Sequence, residues 1–384
     1  MTLSDLVEGS LATLEDLARR HSDAIWEIGF SGGKDSTLLL HLVVEFLGER
    51  AGRGLPLPKA VYVVYEDTLL EVPPLRKIAL KVLEDLKVYS QDVLGGLVKI
   101  KVVRPLESRD FFSMMIDKGY PAPHYRFRWC VRVLKVEPMR TFLTDLEAQG
   151  PVVMLTGLRA DESMFRRRVI RYRMRKGNKK RGLVMATPII NWREEEVLSF
   201  LRKQRQPWNG HNYMHLLRLY DYMTPLRSRG ARKVRYGCWV CTVISREKAL
   251  HRLKAEGLCP YAQVLIEAKE DLRAISKRRE FRLRGRGRWK LGRLNRLGRL
   301  AVIGVLAQVL TEAKEALVAY LENPALRRKL VEWLTALNRG LSKLKPLYSV
   351  RARVIREAFS IVSSSEYEFT KSSPYDLLWK ECRF

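Results

Sequence analysis

Cysteines are few in this 384-residue chain, acids are outnumbered, and long uncharged apolar runs are missing. Five cysteines are too sparse for a disulfide framework. No run of about 18 uncharged apolar residues occurs, which argues against a membrane-spanning helix. Residues 1–20 are amphipathic, with acids at Asp5, Glu8, Glu15 and Asp16, unlike a secretory leader. The expected setting is the cytoplasm, with no membrane partner. Two common phosphate-binding signatures are also missing: neither the spacing of a Walker A loop nor that of a dinucleotide fingerprint is present.

The shortage of acids is local as well as global. Against 71 Lys and Arg stand 42 Asp and Glu, a net charge of +29. Residues 166–181 hold ten basic residues and no acid, and residues 277–299 hold eleven with Glu280 as the one acid. Ion-pair networks need acids, so these windows point instead to a polyanionic partner, a nucleic acid, DNA or RNA. Phe165, Tyr172, Phe281 and Trp289 lie beside or among the charges and could stack on exposed bases, or serve as core.

One segment names a chemistry. Residues 31–37 read Ser-Gly-Gly-Lys-Asp-Ser-Thr directly after the apolar run Ala24–Phe30. A strand ending there, two glycines and a helix beginning near Asp35 would turn backbone amides toward one point. Hydroxyls of Ser31, Ser36 and Thr37 and the ammonium of Lys34 add to that cradle. The guest it suits is a phosphate chain.

Cys130, Cys259 and the pair Cys238-Trp239-Val240-Cys241 are placed to interest a metal. A Cys-x-x-Cys turn aims two thiolates at one ion, and two more complete a four-coordinate site. The spacing leaves open a structural zinc, a redox dithiol and iron-sulfur ligation, where thiolates come from distant parts of a chain.

The string at 31–37 resembles the PP-loop of the ATP pyrophosphatase superfamily. Four further blocks, in order along the chain, resemble those of phosphoadenosine phosphosulfate (PAPS) reductase-like proteins: Tyr65-Glu66-Asp67-Thr68 with Glu71 and Pro73, Tyr125 to Pro138 around Cys130, Thr156 to Ser163 around Arg159, and Pro188 to Trp192 followed by Glu196. Arg235 to Val243 is similar to the cysteine block of DndC-type DNA phosphorothioation proteins. The resemblance implies ATP pyrophosphatase activity and sulfur transfer to nucleic acid. It also implies a 4Fe-4S cluster on Cys130, Cys238, Cys241 and, as fourth candidate, Cys259. A cysteine desulfurase or persulfide carrier would supply the sulfur. Two alternatives stand beside it: a reductase of adenylyl or phosphoadenylyl sulfate, with Cys382 of the closing Glu381-Cys382 as nucleophile, and a non-catalytic nucleic acid binder with a structural metal.

On this reading Ser31, Gly32, Gly33, Ser36 and Thr37 cradle the phosphates, and Lys34 offsets charge on the leaving pyrophosphate. Asp35 holds Mg2+ or caps the helix, Asp67 and Thr68 meet ribose or adenine, and Arg159 is a second phosphate clamp. Strand-helix alternation predicts an α/β fold, a doubly wound, mostly parallel five-stranded sheet of the adenine nucleotide alpha hydrolase type. The strands are expected at Ala24–Phe30, Ala60–Tyr65, Val98–Val103, Val152–Leu155 and Val184–Ile189. Residues 1–22 form an N-terminal helix, 23–205 the α/β domain, 206–260 a cysteine-containing segment, and 261–384 a basic, mainly helical appendage. Within that appendage a single helix is expected over Leu300–Glu322, and Arg284 to Arg288 as a flexible basic loop.

Overall fold

The structure, a computed structural model, describes residues 2–162, 182–220, 234, 236–244, 247–285, 290–344 and 352–363. The basic window 166–181 and Cys382 lie outside the described residues. Five parallel strands form one sheet: β1 (Ile25–Phe30), β2 (Ala60–Glu66), β3 (Val98–Val103), β4 (Val152–Leu155) and β5 (Leu183–Ala186), in the order β3-β2-β1-β4-β5. The α/β fold and its doubly wound parallel sheet are as the sequence predicts. The central strand is buried on both faces, parallel neighbours flanking it and other elements covering it. Strand order reverses at β1, so the crevice at its carboxyl end is the place for a ligand.

Alternation along β1 sorts its side chains. Trp26, Ile28 and Phe30 enter the large core, while Ile25 packs with Val64, Phe142, Leu146 and Val152 on the other face. Glu27 and Gly29 share that second face. Helix α1 (Leu3–Arg20) starts with a capping box, Thr2 Oγ1 accepting from the Asp5 amide and Asp5 from the Thr2 amide. Helix α2 (Lys34–Gly52) is buried along most of its length, and α3 (Pro73–Val93) opens on two prolines suited to a first turn.

A short helix, α4 (Phe111–Ile116), is capped by Asp110. The segment after it departs from a plain helix: α5 (Trp129–Val131) passes through a π-helical turn at Arg132–Val136 into α6 (Glu137–Glu147). Such turns shift side chains relative to the regular spiral, here those of Val133 to Lys135 beside Cys130.

Farther on, α7 (Glu194–Lys203), α8 (Met214–Leu219), α9 (Ala249–Ala255) and α10 (Ala262–Lys277) lead to α11 (Arg296–Glu312), whose residues from Leu300 to Leu310 are nearly all buried. Around it pack α10, α13 (Pro324–Leu344) and α14 (Ala352–Ser363), with α12 (Val318–Glu322) between. The single helix expected at Leu300–Glu322 is interrupted: Ala313 leaves helical geometry and a 3-10 turn follows at Lys314–Leu317. Downstream of the break, the Tyr320 hydroxyl donates to Asp110 Oδ1 at 2.8 Å, tying the helical region to the cap of α4. Trp333 Nε1 and Lys329 Nζ both reach Asp117.

Strand β6 (Arg282–Arg284) pairs antiparallel with β7 (Leu291–Leu294), while residues 286–288 of the expected basic loop lie outside the described residues. Arg282 turns inward to the Gly292 carbonyl, whereas Arg284 and Arg293 face solvent. Among the described residues no helix is long and apolar enough to cross a membrane.

Candidate active site

The turn after β1 is closed by its own hydroxyls. Ser31 Oγ and Ser36 Oγ lie 3.1 Å apart, Ser36 Oγ also accepts from the Ser31 amide and donates to the Gly33 carbonyl. Gly32 has φ +71°, and a Cβ there would stand 2.6 Å from Ala79 Cβ on α3, so both conformation and space demand glycine. Gly33 caps α2 without a side chain, leaving that helix's first amides directed at the crevice, a setting that favours an anion. Ser36 and Thr37 are buried beneath the turn.

Lys34 is boxed by groups from three parts of the chain. Its Nζ is 3.1 Å from Asp35 Oδ2 and 3.4 Å from Glu194 Oε1, and 4.9 Å from the Tyr220 ring centroid. Asp35 Oδ1 faces Arg159 Nε at 2.7 Å, an ion pair whose angles do not suit a hydrogen bond. Both oxygens of Asp35 thus already meet cations. The residue does not cap α2, and its carboxylate links Lys34 to Arg159. Arg159 is almost wholly buried and also donates from Nη1 to the Trp192 carbonyl. The Thr156–Arg159 loop presses on α2, a Gly157 Cβ coming within 3.2 Å of the Asp35 backbone.

These residues wall a cavity of about 590 Å³ at the carboxyl end of the sheet, reaching from Ser31, Gly33 and Lys34 to Glu71, Lys135 and Cys238. Asp67 and Thr68 are not on its wall. Asp67 is fully buried, and although burial alone would raise its pKa, the guanidinium of Arg76 at 2.9 Å and Arg104 hold it below the usual carboxylate range. Thr68 Oγ1 donates to Glu71 Oε1 at 2.6 Å and lies 3.2 Å from Cys238 Sγ. Asp67 and Thr68, expected to meet ribose or adenine, are engaged here by Arg76, Arg104, Glu71 and Cys238 beneath the β2–α3 loop. Burial, then the nearby Asp67 charge, raises the Glu71 pKa.

The cysteine turn is stitched to this loop. The Val72 amide donates to the Gly237 carbonyl at 3.0 Å and the Trp239 amide to the Leu70 carbonyl at 2.9 Å. Burial and then Glu71 push the Cys238 thiol up to about 12. Thr242 Oγ1 donates to the Pro123 carbonyl at 2.5 Å, bringing the turn beside the Cys130 segment, and Cys130 senses the charge of Cys241. Cys259 is buried in the segment just before α10. Among the described residues no three His, Cys, Asp or Glu side chains gather to hold a metal ion. The four cysteines as placed do not fit the expected four-thiolate cluster. Lys135, from the Tyr125–Pro138 block, is also on the cavity wall, as are Glu27, Glu194 and Tyr220, which carry no local motif and are brought here only by the fold.

The sequence pattern described as "Phosphoadenosine phosphosulfate reductase domain" matches residues 27–243, more than half of the chain and all of the site just described except Cys259. This chain belongs to the PAPS reductase domain family. The chain is similar to an uncharacterized protein of Methanocaldococcus jannaschii, 28% identical over 203 residues that make up 53% of this chain and 36% of that protein. It is also similar to the adenosine 5'-phosphosulfate reductase of Allochromatium vinosum, 31% identical over 113 residues, 29% of this chain and 34% of that protein. The matched part spans about a third of the length of these relatives. Among solved structures, the phosphate complex of a PAPS reductase from Candida auris matches with a TM-score of 0.33 and 14% identity, covering 56% of this chain and 81% of that chain. The PAPS reductase family is enzymatic.

Proposed function

We propose that this PAPS reductase-family chain is an ATP-dependent sulfurtransferase of the PP-loop type, acting on nucleic acid. The observation that carries the reading is the Ser31–Thr37 turn, whose amides, hydroxyls and Lys34 wall one end of a cavity that Cys238 lines at the other. An oxygen of the nucleic acid attacks the α-phosphorus of ATP and pyrophosphate leaves, its charge offset by Lys34 and the first amides of α2. The terminal sulfur of a donor persulfide then attacks the activated centre and AMP leaves. A thiol finally takes the carrier sulfur as a disulfide, freeing the sulfur on the product. The net charge of +29 and the exposed Arg284 and Arg293 of the hairpin support a polyanionic partner.

A reductase of adenylyl or phosphoadenylyl sulfate is the second reading, favoured by the similarity to the A. vinosum reductase. One assay separates them. Purified protein is given ATP with DNA or RNA and a persulfide donor, and pyrophosphate and AMP are measured; in parallel it is given each sulfonucleotide with a thiol reductant, and sulfite is measured. Nucleic-acid-stimulated pyrophosphate release, lost in Lys34→Ala, is expected. Sulfite release that fails in Cys382→Ser, without pyrophosphate from ATP, would establish the reductase instead.

A further inference from the structure

On the sheet face of the cavity, away from the phosphate turn, β1 carries a carboxyl where an apolar side chain would be expected. Glu27 is 1% exposed, and its Oε1 has no hydrogen-bond partner among the described residues. Burying such a group without a partner is costly, so its retention calls for a ligand. The oxygen points along the strand toward the turn, lying 4.0 Å from where a Cβ of Gly29 would stand. Gly29 leaves the strand face bare, and Val64, Met139 and Met154 complete an apolar slot beside it. From Glu27 to Ser31 the strand advances four residues, about 13 Å, the reach from base edge to terminal phosphates in an extended nucleotide.

We propose that Glu27 is the base-reading residue of this cavity: its neutral carboxyl recognises an adenine edge held in the slot formed by Gly29, Val64, Met139 and Met154. A carboxylic acid offers one donor and one acceptor. Adenine offers the complement, an acceptor ring nitrogen beside an exocyclic amine. The inference rests on the nucleotide-binding reading of the site and adds how the base is chosen.

Charge around Glu27 favours the neutral acid. Burial first, and the Glu66 carboxylate of β2 second, raise its pKa to about 8. Tyr62 of β2 is opposite it in register, with Lys99 of β3 over that ring, and Met154 of β4 is opposite on the other side. From the π turn, Lys135 faces the cavity but is directed at Glu66, 3.7 Å away. When Glu27 ionises it loses its donor and presents two acceptors, which suit the two N–H groups of guanine better.

The test is calorimetric binding of ATP and GTP to full-length wild type, Glu27→Gln and Glu27→Leu between pH 6 and 9. The amide of Gln keeps a donor and an acceptor at every pH. Wild-type ATP affinity is expected to fall about tenfold from pH 7 to pH 9, following the neutral fraction of a group titrating at about 8, with the ATP-to-GTP ratio falling alongside. Glu27→Gln should show no such fall, and Glu27→Leu should bind ATP about tenfold more weakly than wild type at pH 7. Identical pH profiles for wild type and Glu27→Gln, or wild-type ATP affinity in Glu27→Leu, would overturn the assignment while leaving nucleotide binding intact. Failure of all three proteins to bind either nucleotide at any pH would overturn the nucleotide-binding reading and this inference with it.

Discussion

Replacing Glu27 by Gln should change how the stability of the fold depends on pH, with or without a ligand. In an unfolded chain this carboxyl titrates near 4.5, and in the folded protein near 8. Between these values the native state holds a proton that the unfolded state has released. Unfolding therefore sheds a proton, and stability falls as pH rises: the Glu27 contribution is complete below 4.5 and gone above 8. A difference of 3.5 pH units corresponds to at most about 5 kcal/mol. Glu27 borders a cavity that can admit water, which eases the penalty, and we expect about 2 kcal/mol. Urea unfolding of both proteins from pH 5 to pH 9 measures it, the difference between the two curves cancelling every other titrating group. Glu27→Gln should gain on wild type steadily across this range and level off above pH 8. Parallel curves, within about 0.5 kcal/mol throughout, would mean that Glu27 ionises as freely as a surface carboxylate and would refute the argument from burial.

Lys34→Ala should lower nucleic-acid-dependent pyrophosphate release by roughly 100-fold or more, the usual cost of losing a group that meets transition-state charge, with the circular dichroism spectrum unchanged. Gly32→Ala places a methyl 2.6 Å from Ala79 Cβ at a positive φ; a loss of about 2–4 kcal/mol in urea unfolding is expected, and wild-type stability would contradict the geometry of the turn. Tyr320→Phe removes the donor to Asp110 and should cost about 1 kcal/mol while leaving nucleotide affinity untouched. Arg284→Ala with Arg293→Ala should reduce the slope of log affinity against log salt for DNA or RNA by about 1.5, and an unchanged slope would remove the hairpin from the contact surface.

The phosphate turn was legible because its signal is local: small residues, a lysine and a helix start lie within seven positions after an apolar strand. The parallel strands were legible for a related reason, since a strand buried on both faces is a short apolar run wherever it occurs. Residues that depend on distant partners were not. Asp67 lies in a recognisable block, yet Arg76 and Arg104 decide its role, and only folding places them. Glu194 and Tyr220 reach Lys34 across more than 150 residues of chain and look like ordinary helix residues in the sequence. Glu27 was hidden by its apolar neighbours, which identify a strand but not which face opens on a cavity. The interruption at Ala313 escaped because apolar periodicity continues through it. The hairpin of Arg282–Leu294 escaped because its composition is that of a solvated loop. For the cysteines, spacing revealed the shared turn of Cys238 and Cys241 but could not tell that Cys259 belongs to the core beside α10.

Helix α3 has a consequence for anyone redesigning this protein. Its first residues are bonded to the cysteine turn through Val72 and Gly237, and two turns later Ala79 abuts Gly32 with no room for a methyl. The first two turns of the helix thus brace the cysteine turn on one side and the glycine turn on the other. A graft that imports a different cysteine loop would shift these shared turns and with them the Ala79–Gly32 contact, so the two halves of the pocket must be exchanged as one unit or not at all.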